Sequence, residues 1–116
     1  MSASADRLLT GLRAWTLQRL TAIYLLGFIL VLAVRLLADP VDDHAGWVEF
    51  WRSPWMASSA LLAVAALGVH AWVGARDVVL DYVRPAMARP VALAAIAVVL
   101  ALTVLRLAAA LLWPGA

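Results

Sequence analysis

Three stretches of this chain are apolar over lengths that match the hydrocarbon core of a bilayer, and they constrain the fold more than any other feature. Leu20 to Val34 is broken only by Thr21 and continues past Arg35 to Ala38. Met56 to Ala75 is broken only by Ser58, Ser59 and His70, and Val91 to Trp113 contains Thr103 and Arg106 as its polar members. A spanning helix needs about 20 largely apolar residues, because its rise per residue is small against the thickness it crosses. Each block is long enough for one crossing. Composition agrees: 66% of the residues are hydrophobic and 14% charged, and mean hydropathy is +0.97. A soluble domain has about 45–50% and about 25%. A disordered tail, a collagenous repeat and a polar nucleic-acid-binding arm are excluded. A soluble globule of this size would lack the polar residues to cover its large exposed surface. The expected fold is all-α, an integral membrane domain with three transmembrane helices.

The chain has 116 residues and no cysteine, which removes disulfides, iron–sulfur ligation and Cys-based zinc sites from its own repertoire. Its nine basic residues are all arginine and are scattered, so no nucleic-acid partner is expected. The basic residues instead give an orientation. Arg7, Arg13 and Arg19 precede the first span, and Arg76, Arg84 and Arg89 lie between the second and third. Asp39, Asp42, Asp43 and Glu49 dominate the connector between the first and second. The positive-inside rule makes residues 1–18 a cytoplasmic segment and 39–54 a periplasmic loop. Spans are expected at 19–38, 55–79 and 90–113, with a cytoplasmic connector at 80–89 and a periplasmic C-terminus. Arg35 and Arg106 then fall near the outer ends of their helices, where they can snorkel. A cut near Ala38 would follow Leu36 and Leu37, against the small-x-small pattern of signal peptidase sites, so the first block reads as a retained helix.

Trp47, Trp51 and Trp55 recur every fourth residue beside Phe50. If helical, they form one aromatic face at the start of the second span. Such a face reads as an interfacial belt on a short surface helix, with a substrate-binding aromatic box as the alternative.

The second span carries the chemistry. At about 100° per residue, Ser59, Ala63, Ala66, His70, Gly74, Asp77 and Asp81 share a sector roughly 80° wide. Leu61, Leu62, Val69, Trp72, Val73 and Val79 point elsewhere. One face is therefore small-sided, with an imidazole in its middle and carboxylates at its cytoplasmic end. Small residues let a neighbouring helix or a flat bulky group approach closely. An ionisable residue within a span is costly and marks a functional site. His70 has three readings: a hydrogen-bonding partner for another helix, a proton relay, or an axial ligand to a heme iron. The only other histidine, His44, lies in the outer loop, so a second heme ligand would come from another subunit. Asp77 is expected to pair with Arg76 or a partner's arginine. Asp81 and Tyr82 lie at the helix end, about 18 Å beyond His70. They read either as an interfacial tyrosine beside an acid paired to Arg84, or as donors toward a quinone oxygen. Arg19 either snorkels or holds a carboxylate such as a heme propionate.

The run His70-Ala-Trp72-Val-Gly74, followed by Asp81-Tyr82-Val83-Arg84-Pro85, resembles the second-helix signature of the succinate dehydrogenase hydrophobic membrane anchor, a component of respiratory complex II. Arg19-x-Thr21-Ala22-Ile23 is similar to the same family. The resemblance implies a bacterial inner-membrane subunit that does not itself oxidise succinate. It would hold a flavoprotein and an iron–sulfur subunit on the membrane together with a second three-helix cytochrome b anchor, within a succinate:quinone oxidoreductase of the tricarboxylic acid cycle and respiratory electron transport. It further implies that His70 ligates a shared heme b, that Arg19 lies toward the heme propionates, and that Tyr82 and Asp81 form part of the ubiquinone site. The alternatives are a fumarate reductase-type anchor using menaquinone and a small non-redox membrane assembly protein.

Overall fold

Proline, glycine and the short polar connectors divide the chain into four helices. The computed structural model describes residues 3–113. Helix α1 runs Ala3–Ala38, α2 His44–Arg52, α3 Pro54–Tyr82 and α4 Ala88–Leu112. Helix α1 is continuous from the polar N-terminal segment through the first apolar block. Asp6 in its first turn and Arg35 in its last complement the helix dipole. It stops before Asp39-Pro40, because the residue preceding a proline is pushed out of the helical region. Arg35 closes this end through an ion pair to Asp39 at 2.9 Å and a bond to the Asp39 carbonyl.

Asp43 caps α2 by accepting from the Gly46 amide at 2.7 Å. Ser53 is extended ahead of Pro54, which occupies the first turn of α3, where its missing N–H costs nothing. This break alters the expected aromatic face. Trp47, Phe50 and Trp51 cluster on α2 with ring centroids 5.1–6.2 Å apart. Trp55 belongs to α3 and stays 87% exposed. At the other end, α3 finishes three residues before Pro85. Arg89, in the first turn of α4, donates to the Val83 carbonyl at 2.7 Å and ties the connector back to the helix it leads into.

Helices α1, α3 and α4 are each long and apolar enough to cross a membrane. Helix α3 is the middle member: it packs on α1 and on α4, and no packing contact joins α1 to α4 among the described residues. The result is an open row of three long apolar helices whose longest dimension is 55 Å. The buried residues among those described are Ala60, Ala63, Val73 and Val79, all on α3. Nothing on α1 or α4 is fully buried. Such exposure suits a bilayer, where lipid tails are as apolar as leucine and association depends on close packing rather than expulsion of water. Gly68 provides that packing against α4: a Cβ there would lie 3.0 Å from Val104 Cγ2.

Candidate functional site

Helix α1 lies over part of the small-sided face of α3, and the polar residues of the two helices meet there. His70 is half-buried, and its Nδ1 is 3.2 Å from Thr21 Oγ1. The same hydroxyl donates within its own helix to the Leu17 carbonyl at 2.7 Å, with the Gln18 carbonyl 3.1 Å away. A threonine hydroxyl has one hydrogen and two lone pairs. With the hydrogen directed to a backbone carbonyl, the oxygen is left to accept from His70. The contact engages Nδ1 and leaves Nε2 without a partner among the described residues.

One turn further along α3, a Cβ at Gly74 would lie 3.3 Å from Gln18 Nε2. The Gln18 amide fills the space that Gly74 leaves on the small-sided face. A glutamine at this depth gains by turning toward another helix rather than toward lipid. Its Oε1 is buried and has no hydrogen-bond partner among the described residues. Nearer the other end of the span, Tyr24 donates to the Ser59 carbonyl at 2.7 Å. An apolar groove of about 420 Å³ opens beside it, lined by residues that include Ile23, Phe28 and Met56. Gln18, Thr21 and Tyr24 thus form a polar row, three residues apart, on one side of α1. That spacing was present in the sequence as a signal for the partner face.

Of the other expected site residues, Arg19 is exposed, and its guanidinium lies 5.4 Å from the Trp15 ring centroid. Around the helix it points roughly 160° away from Thr21. No hydrogen bond joins it to His70 or to a carboxylate among the described residues. Asp81 and Tyr82 end α3, both exposed, with Tyr82 79% accessible. Neither side chain bonds to another described residue, so the expected Asp81–Arg84 pair does not form. Asp77 does pair with Arg76, at 3.1 Å. His70 and the Asp81–Tyr82 pair lie at different levels of α3, about 18 Å apart along its axis. No group of three or more His, Asp or Glu side chains converges among the described residues, so a multi-ligand metal centre within this chain alone is not formed.

A family model described as succinate dehydrogenase/fumarate reductase transmembrane subunit matches residues 6–109. The chain belongs to this family. The match spans Gln18, Arg19, Thr21, His70, Asp81 and Tyr82, and it runs from the first turns of α1 almost to the end of α4. As a succinate dehydrogenase/fumarate reductase membrane anchor, the chain is a multi-pass membrane protein that works in a complex with the other subunits of that enzyme. The open row of helices is what such a subunit requires, since its exposed apolar flanks have bilayer or protein to meet.

Proposed function

We propose that this chain is the hydrophobic membrane anchor of a succinate dehydrogenase, the companion of the cytochrome b anchor. In this reading it holds the flavoprotein and iron–sulfur subunits at the cytoplasmic face, shares a heme b with that second three-helix anchor, and supplies part of the ubiquinone-reduction site. The observation that carries it is the pairing of His70 Nδ1 with Thr21, which leaves Nε2 available within a membrane span. Metal-ligating histidines almost always have their second nitrogen engaged in this way. The Thr21 contact also serves as an interhelical bond, and the heme reading is the one that gives a use to the remaining nitrogen. His70 would supply one imidazole nitrogen to a heme iron, and the partner anchor would supply the other ligand. Arg19 has no carboxylate partner among the described residues but lies on the side of α1 away from Thr21, so its place toward a propionate rests on the resemblance alone. When bound, the heme supplies a one-electron carrier within the membrane.

Tyr82 and Asp81 act at the cytoplasmic end. Quinone reduction takes two electrons, delivered by the iron–sulfur subunit, and two protons. The Tyr82 hydroxyl donates to a quinone carbonyl oxygen and stabilises negative charge as it develops there. The Asp81 carboxyl, next to it in the sequence, passes a proton inward from the aqueous side. Their exposure and lack of bonds within this chain support a site whose remaining wall belongs to other subunits. The arginine distribution supports the matching orientation, with the N-terminus and the residue 80–89 connector cytoplasmic and the C-terminus periplasmic.

The experiment is Tyr82→Phe in the assembled complex. Loss of one hydrogen bond made to the developing charge is expected to lower quinone reduction about tenfold or more. Electron transfer from succinate to an artificial acceptor at the soluble subunits is expected to persist. Parent-like quinone kinetics in this variant would remove Tyr82 from the site.

A further inference from the structure

Thr21 is one of four threonines in this chain whose hydroxyls bond back to the carbonyl four residues earlier. Thr10 donates to Asp6, Thr16 to Leu12 and Thr103 to Val99, each at 2.8 Å, and Thr21 donates to Leu17 at 2.7 Å. This is the ordinary way a helical threonine satisfies its hydrogen. Among these four, Thr21 alone has a second polar side chain at its oxygen, the His70 imidazole on another helix. The other three hydroxyls are exposed, whereas the Thr21–His70 contact is half-buried.

We infer that Thr21 is a positioning residue for His70: its oxygen accepts the Nδ1 proton, fixes the imidazole in the tautomer whose Nε2 is free, and sets the ring orientation toward the iron. The inference rests on the heme reading above and goes beyond it by naming the residue on α1 that prepares the ligand on α3. The hydroxyl lies within reach of the Leu17 and Gln18 carbonyls, which can take its hydrogen and leave the oxygen to accept from Nδ1. A proton held toward an oxygen acceptor gives the imidazole more electron density and favours the ferric over the ferrous state. The arrangement also couples ligand geometry to the packing of α1 on α3. A shift of α1 along α3 would break the Thr21 contact and the Gln18–Gly74 contact together.

The test uses the whole purified complex carrying Thr21→Val, Thr21→Ala or Thr21→Ser, with flavin content and succinate oxidation by an artificial acceptor as measures of assembly. Heme retention is read as the heme-to-flavin ratio after extended dialysis. The heme midpoint potential is read by redox titration, and the ferric signal by electron paramagnetic resonance. Thr21→Val is expected to raise the midpoint potential, broaden the ferric signal and weaken heme retention about 10–100-fold. Thr21→Ser keeps the acceptor and is expected to stay parent-like. Thr21→Ala also lacks the acceptor and carries the same expectation if the valine variant does not assemble. Parent-like potential, signal and retention in Thr21→Val or Thr21→Ala, while His70→Ala loses its heme signal, would overturn the role of Thr21 and leave the heme reading standing. Losses in Thr21→Ser equal to those in Thr21→Val would also overturn it, since the hydroxyl would not be the operative group. A parent complex with no b-type heme would overturn both.

Discussion

A histidine inside a membrane span demands a reason, and in the proposed reading that reason is prepared by Thr21, the side chain at its Nδ1. His70 was legible in the sequence because lipid tolerates so few ionisable groups. Thr21 was legible as a polar interruption in the first apolar block and as a member of the Arg19-x-Thr21-Ala22-Ile23 run, but not as the partner of His70. Which residue of α1 meets which residue of α3 depends on the rotation and register of two helices. A single sequence encodes that relation only through weak signals such as the Gln18, Thr21, Tyr24 row. The same limit explains Gly74, whose small size was evident while its occupant, Gln18, was not. Tyr24 offers a test at this scale. Tyr24→Phe removes the bond to the Ser59 carbonyl without emptying the site. Interhelical hydrogen bonds in membranes average about 0.6 kcal/mol, so a small loss of complex stability is expected in thermal inactivation curves. A loss of several kcal/mol would show that the tyrosine does more than bridge α1 and α3.

At the scale of elements, the three long helices were readable from the lengths of the apolar blocks. The Ser53–Pro54 break was the exception. Fourfold spacing of Trp47, Trp51 and Trp55 implied one continuous face, but a residue before proline leaves the helical region, and the third tryptophan passes to α3. Helix α3 holds the anchor together because it alone touches both other spans. Its contact with α4 depends on Gly68, where an added Cβ meets the β-branched Val104 at 3.0 Å. Val104 has little rotamer freedom with which to yield. Gly68→Ala is therefore expected to destabilise the packing by about 1–3 kcal/mol through overcrowding. Val104→Ala in the same chain should recover most of that loss. Both are read from the heat-inactivation midpoint of the complex, and equal losses in the single and double variants would refute the contact.

At the scale of the whole molecule, three spans in an open row leave α1 and α4 without full burial, and membership of the family explains why. An anchor of a succinate dehydrogenase/fumarate reductase complex finishes its packing outside itself. The sequence conveyed this only indirectly, through one intramembrane histidine without a second ligand in the spans. The proposed orientation has a direct test because the chain has no cysteine. In intact cells, Asp42→Cys is expected to react with a membrane-impermeant maleimide and Ala86→Cys to react only after permeabilisation. The reverse pattern would invert the topology and place the quinone pair on the wrong side. Everything proposed for the membrane interior turns on the redox role of His70. It is checked by a reduced-minus-oxidised visible spectrum of the purified complex and of its His70→Ala variant. A b-type, six-coordinate low-spin signal is expected in the parent and is expected to be missing from the variant. A parent without that signal, or a variant that keeps it unchanged, would contradict the role of His70 as a heme ligand.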